Sequence, residues 1–323
     1  MKIISHPEDF LKSLEDAAHP NQNDYFALYA TWLDGVVTHP PWMVIALDDH
    51  LVHRSDGVFD VLKCVDGALY MCDAHLERLR TAAASLSLAP PPEFERLEEI
   101  ILELIRITGR RDCVVHVYLS RGPGDLSVDP ANCFKPQLAV LISGLHGPSR
   151  ELIEKGAGAV IADIPAKPAW QARIKAVDYL QNVLLQMEAN SAGVKYAFTL
   201  SEKGMLAEGP VVSACLVTAD KALLFPRAET VFQGLTKARI LELAQNLVAE
   251  GVLSRVGAAD ISKADLFEAS EILVSGTVTG LIAVRELDGK PIGSGRPGPV
   301  FTRLRGLLQE DIRTNPELRK EVY

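Results

Sequence analysis

Of the chain's four aspartate–glycine pairs, Asp66-Gly67 and Asp288-Gly289 constrain the fold more than any other feature of the chain. Such a pair supplies the positive-φ residues of a two-residue hairpin, so each predicts antiparallel strands rather than a helix. The first joins a strand over 58–65 to one over 68–71. The second follows a strand over 281–287. An Ala219-Asp220-Lys221 turn predicts a further hairpin, between 214–218 and 222–225.

Between these strands apolar residues recur at helical spacing. Asp73 is expected to cap a helix to about Leu86, with Leu76, Leu79, Ala83 and Leu86 on one stripe. Pro90-Pro91-Pro92 breaks the chain. A helix over 94–108 then buries Leu97, Ile100, Ile101, Leu104 and Ile105 and closes at Gly109. A short amphipathic helix over 7–18 and a strand over 42–47 come earlier. Strands over 113–119 and 137–143 come later.

Turn residues cluster at Gly144-Leu145-His146-Gly147-Pro148-Ser149, the expected boundary between a 1–148 domain and a 149–323 domain. At ~150 residues per domain, 323 residues accommodate two. Beyond the boundary a strand over 159–162 precedes a long helix over 175–191 with apolar Val177, Leu180, Leu184 and Met187. Thr236 is expected to cap a helix to about 249. Strands over 271–275 and 281–287 and a helix over 299–312 complete an α/β (α+β) chain.

The net charge is −9, from 33 basic and 42 acidic residues, and counts against a nucleic-acid binder. No apolar run reaches the ~18 residues of a membrane span. The N-terminus lacks the apolar core of a secretory signal, so a cytoplasmic location is expected. Cysteines 64, 72, 113, 133 and 215 include no CxxC pair and are expected to stay reduced. His50 and His53 lie close together without the companions of a zinc site, and no metal is expected.

Five local features suggest chemistry. Gly234-Leu235-Thr236 opens a helix, and Gly276-Thr277-Val278-Thr279-Gly280 follows an apolar strand. Both present backbone N–H groups and a hydroxyl suited to phosphate. Taken singly, each is ordinarily a helix cap or a tight turn. Lys175 at the head of a helix opposes the macrodipole, so it is either a solvated lysine or an amine used as a nucleophile. Glu208, in an otherwise small and apolar segment, and Arg78, on the helix after the first hairpin, are by themselves surface residues.

In order, the chain carries Val58-Phe59-Asp60, His75-Leu76-Glu77-Arg78-Leu79, Lys175-Ala176-Val177-Asp178-Tyr179-Leu180, Glu188-Ala189 with Gly193, and Ala207-Glu208-Gly209. Gly234-Leu235-Thr236-Lys237, Ser275-Gly276-Thr277, the Asp288-Gly289 turn and Gly298-Pro299 follow. This ordered set resembles the class IV (fold type IV) aminotransferases over about 45–310. That family includes D-amino-acid transaminases, branched-chain aminotransferases and aminodeoxychorismate lyases. The resemblance implies two domains, the larger C-terminal α/β domain carrying the Schiff-base lysine, with pyridoxal 5'-phosphate as cofactor. It implies that Lys175 forms the Schiff base and shuttles the proton, and that Glu208 pairs with the pyridine nitrogen. Arg78 then clamps the phosphate, Leu235, Thr236 and Thr277 complete the phosphate cup, and Tyr179 lies near the ring. Phe59, Arg121, Val278 and Thr279 fall to the substrate.

Ser213 stands where the family commonly has Asn, and Lys237 where it commonly has Arg. Asp60 takes the place of the threonine usual in the lyase branch. The Lys175-to-Asp178 spacing and Lys63 resemble the D-amino-acid enzymes, yet Arg121-Gly122 is not followed by their Arg-x-His pair. The resemblance therefore implies a D-amino-acid type transaminase with an unusual carboxylate trap, acting on an amino acid and a 2-oxo acid as a homodimer. Its alternatives are a branched-chain L-amino-acid aminotransferase, an aminodeoxychorismate lyase and a non-catalytic binding protein.

Overall fold

At the first hairpin Asp66 and Gly67 take φ of +53° and +82°, and strand Gly57–Val65 turns directly into Ala68–Tyr70. The structure is a computed structural model that describes residues 2–227 and 231–323. Two compact units emerge, one of Met1–Leu145 with Pro316–Tyr323 and the other of His146–Asn315. The last residues, expected with the second half, thus belong to the first. Strand Arg319–Glu321 pairs antiparallel with Ala68–Tyr70.

The first unit is built on a seven-stranded antiparallel sheet. Its spatial order is Arg319–Glu321, Ala68–Tyr70, Gly57–Val65, Cys113–Ser120, Gln137–Gly144, Tyr25–Ala30 and Gly35–Val37. Helices Cys72–Ser85 and Leu97–Thr108 cover it, the latter burying Leu97, Ile101, Leu104 and Ile105. Asp73 does not cap the first of these helices. Met71 occupies the N-cap in a left-handed conformation with no side-chain bond, and Asp73 lies in the first turn, where its charge suits the helix dipole.

Residues 42–47 are not a strand. Pro40–Trp42 form a 3₁₀ turn, and Val44, Ile45 and Leu47 are exposed. The sheet position is taken by Tyr25–Ala30, which buries Ala27, Leu28 and Ala30 beside Gln137–Gly144. The proline pair fixes φ just ahead of this run and suits the first residues of the 3₁₀ turn.

The second unit has an eight-stranded mixed sheet. Its order is Arg255–Ala259, Ala222–Pro226, Ser213–Val217, Glu271–Gly276, Gly280–Leu287, Ala157–Ile161 and Tyr196–Phe198, with Lys290–Pro291 added to Gly280–Leu287. Phe198, Leu206, Ile272, Val274 and Ile282 lie in its core. Helices Leu235–Ala249 and Pro299–Thr314 pack on it and on each other. Glu271 anchors the second of these helices by accepting the N–H groups of Val300 and Phe301, each at 2.9 Å.

The helix expected from Lys175 begins only at Leu180. Its expected apolar stripe is also reversed. Leu180, Val183, Leu184 and Met187 face outward, while Asn182, Leu185 and Ala189 are buried. No described helix is long and apolar enough to cross a membrane. All five cysteines are free thiols.

Candidate active site

Lys175 owes its position to the segment before helix Leu180–Ser191. Pro168 starts a single helical turn, Ala169–Ala172, and the chain then runs irregularly to Tyr179. Asp178 ties this stretch down. Its carboxylate accepts Gln171 Nε2 at 2.6 Å, and its carbonyl accepts Lys167 Nζ at 3.1 Å. These two bonds explain why the helix starts late, because they hold Asp178 in place ahead of the first helical residue. Tyr179 then presents its hydroxyl to Lys175 Nζ at 3.2 Å. The same amine lies 5.2 Å from the Phe232 ring centroid and 5.6 Å from that of Tyr179.

Glu208 sits in a bend held at both ends. Thr199 donates its N–H and its hydroxyl to the Glu208 carbonyl at 3.0 and 3.1 Å, and Glu208 bridges to Ser213. The Glu208 carboxylate accepts the Phe232 N–H at 3.4 Å. Burial raises its pKa above the ordinary carboxylate value, against the pull of that N–H and the charges of Lys167, Lys175 and Lys237. Burial likewise lowers the pKa of Lys167 and of Lys237. One carboxylate thus faces three lysines, two of them partly stripped of water.

Beside them lies an anion-binding cup. Helix Leu235–Ala249 has Gly234 as N-cap and no side-chain cap, which leaves the first-turn N–H groups of Leu235 and Thr236 without helical partners. Thr236 is therefore the second helical residue and not the cap. A Cβ on Gly234 would approach the Ser213 hydroxyl oxygen to 3.1 Å, so a side chain here would crowd the mouth of the helix. Ser213 pairs across the sheet with Ser275, whose buried hydroxyl has no hydrogen-bond partner among the described residues. Thr277 follows at the exit of the same strand. A helix N-terminus, small hydroxyl side chains and an orphaned buried Oγ suit a phosphate. Arg305 flanks the 277–279 turn, donating from Nη1 to the Leu281 carbonyl at 2.7 Å. Burial lowers its pKa, and no acidic side chain pairs with it among the described residues.

The remaining expected residues lie in the first unit. Arg78 Nε and Nη2 grip the two oxygens of Asp60, each at 2.7 Å, and His75 Nδ1 meets the same carboxylate at 2.7 Å. Burial alone would raise the Asp60 pKa, but the bonds to His75 and Arg78 outweigh it and bring it from 3.8 to about 2. The ionised form therefore contributes about 2 kcal/mol of stability, complete above the unfolded value and lost as pH falls through the folded one. Denaturant unfolding of Asp60→Asn is expected to lack the acid-sensitive component that the wild type shows between pH 3.8 and about 2. Equal acid sensitivity of both proteins would contradict this linkage.

Phe59 stacks on Tyr118 with ring centroids 6.0 Å apart. Arg121 is bound to Asp56 through Nε and Nη2, both at 3.0 Å, and to the carbonyls of Leu86 and Ser87. Its guanidinium is engaged on several sides within its own unit, which makes it a structural residue and ill-suited to grip a substrate carboxylate. Lys167, Phe232, Ser275 and Arg305 were not expected. A lysine between Pro165 and Pro168 in an apolar stretch was the one available signal for the first of them.

Residues 57–287 match the family described as Amino-transferase class IV. The chloroplastic D-amino-acid transaminase of Arabidopsis thaliana is 36% identical over 293 residues, covering 90% of this chain and 78% of the relative. A putative branched-chain-amino-acid aminotransferase of Methanocaldococcus jannaschii is 30% identical over 275 residues, covering 84% and 91%. A "T.th." branched-chain amino acid aminotransferase, solved with pyridoxamine 5'-phosphate, superposes with a TM-score of 0.85. It shares 24% identity and covers 93% of this chain and 99% of its own, which places the two units in the fold of these enzymes. The chain belongs to the class IV aminotransferases and is a pyridoxal-phosphate-dependent transaminase.

Proposed function

We propose that the protein exchanges an amino group between a D-amino acid and a 2-oxo acid, with the second unit carrying the cofactor. The observation that carries the site assignment is the meeting of Lys175, Tyr179 and Glu208 beside the cup of Ser213, Leu235, Thr236, Ser275 and Thr277. Bound pyridoxal phosphate supplies an electrophilic carbon and a ring that draws electrons from the substrate Cα–H bond. Lys175 Nζ would hold the cofactor and would carry the proton at the substrate Cα. Tyr179 orients that amine by accepting its hydrogen bond. The Glu208 carboxylate holds a proton at the ring nitrogen. The N–H groups of Leu235 and Thr236 and the Thr277 hydroxyl take the phosphate.

The backbone around Val278 and Thr279 binds the substrate carboxylate, with the Arg305 charge beside it in place of Arg121. The identity to the chloroplastic relative, and the Lys175-to-Asp178 spacing, support the D-amino-acid type. The 30% identity to the putative branched-chain enzyme supports the second reading, a branched-chain L-amino-acid aminotransferase. Turnover of D- and L-amino acids with pyruvate or 2-oxoglutarate separates the two. D-alanine or another D-amino acid as preferred donor is the expected outcome. Exclusive use of L-leucine, L-isoleucine and L-valine would overturn it.

We further propose a homodimer, working in the cytoplasm. The outward stripe Leu180, Val183, Leu184 and Met187, with Val211 next to it, gives a second copy an apolar surface to cover. Sedimentation at twice the chain mass is expected, and a strictly monomeric active enzyme would refute the assembly.

A further inference from the structure

Lys167 is used by none of the roles above, yet it touches the group that orients Lys175. Its Nζ donates to the Asp178 carbonyl at 3.1 Å and lies 4.8 Å from the centroid of the Tyr179 ring. Lys175 Nζ lies 5.6 Å from that same centroid and 3.2 Å from the phenol oxygen. One aromatic ring thus carries two ammonium groups. The carboxylate of Asp178, bound to Gln171 Nε2 at 2.6 Å, acts on the Lys167 charge only from a distance. An ammonium held half-buried by a carbonyl and a ring face has given up water for modest returns, so its charge acts on something nearby. The anion that acts on it most strongly is Glu208, which Lys167 faces together with Lys175 and Lys237.

We propose that Lys167 is a positioning residue with two effects, fixing residues 178–179 so that the Tyr179 hydroxyl meets the Lys175 amine, and holding Glu208 as an anion during turnover. The second effect matters because Lys175, whenever it holds the cofactor or has yet to take up a proton, would offer Glu208 no free ammonium. Lys237 is the other standing cation, on helix Leu235–Ala249, with its Nζ 5.8 Å from the Phe225 ring centroid. The inference rests on the proposed roles of Lys175 and Glu208.

Its sign follows directly. Removing a cation that faces a carboxylate raises the pH at which that carboxylate takes up a proton. The acid limb of the kcat–pH profile should then move to higher pH. So should the pH-dependent change in the visible absorbance of the holoenzyme, which needs no turnover.

Three variants separate charge from hydrogen bonding. Lys167→Met removes both, Lys167→Gln keeps a donor for the Asp178 carbonyl, and Lys167→Arg keeps the charge. Both neutral variants are expected to shift the absorbance titration upward by about one pH unit. Both should lower kcat about tenfold with little change in KM. Lys167→Arg should titrate as the wild type does. Titration of both neutral variants at the wild-type pH, or an equal shift in Lys167→Arg, would overturn the proposal. If the Met variant does not fold, the Gln and Arg variants decide alone. Failure of the underlying site assignment shows itself separately, as full activity of a Lys175 variant.

Discussion

Lys175→Ala is expected to abolish transamination. The proposed role gives the amine two tasks, covalent binding of the cofactor and proton transfer at the substrate Cα, and alanine can do neither. Proton transfer by a positioned side chain is alone worth roughly 10²–10⁴-fold. Loss of the covalent link adds to that. Two other lysines face the same carboxylate, but neither is held against the Tyr179 hydroxyl as Lys175 is. Lys167 is tied to the Asp178 carbonyl, and Lys237 lies on the first turn of its helix over Phe225. The fold should survive, since Lys175 is only partly buried. Steady-state assay of the folded variant tests this, and turnover near the wild-type rate would remove Lys175 from the mechanism.

Glu208→Gln is expected to slow Cα–H cleavage by roughly 10²–10⁴-fold while cofactor still binds. The substitution keeps the size of the side chain and its acceptor for the Phe232 N–H, but removes the negative charge. On the proposed role of Glu208, the ring nitrogen would then lose the partner that keeps it protonated, and electrons from Cα would have a poorer sink. The phosphate cup is untouched, because Ser213, Leu235, Thr236 and Ser275 do not depend on the Glu208 carboxylate. A deuterium label at Cα reads the step directly, with a larger isotope effect expected in the variant. Unchanged kcat would mean that the ring nitrogen has another partner.

The parts of the fold that could be read beforehand were the local ones. The hairpin at 66–67 is written in two residues, and helix Leu97–Thr108 carries its own apolar stripe and closing glycine. Strand Tyr25–Ala30 pairs with residues more than a hundred positions away, and nothing beside it in sequence announces that partner. The late start of helix Leu180–Ser191 depends on Gln171 and Lys167 reaching Asp178, which spacing alone does not reveal. The apolar stripe of that helix is exposed, because helical periodicity identifies an apolar face without saying what covers it.

The candidate site shows the same division. Lys175, Glu208 and the two turns suited to an anion were singled out as local signals and joined by the order of short motifs along the chain. The ion pair of Arg121 was not legible because its partner Asp56 is 65 residues away, and the pairing exists only once strands Gly57–Val65 and Cys113–Ser120 are side by side. Ser275 looks like the end of any strand until its hydroxyl is seen buried and unpartnered among the described residues. Lys167 becomes informative only when its ammonium is found over the Tyr179 ring.

The central claim is that one lysine among three holds the cofactor. Borohydride reduction of the purified holoenzyme fixes the cofactor to its lysine, and peptide mass spectrometry then reads the site. The account predicts phosphopyridoxyl label on Lys175 alone. Label on Lys167 or Lys237, with Lys175 unmodified, would contradict it.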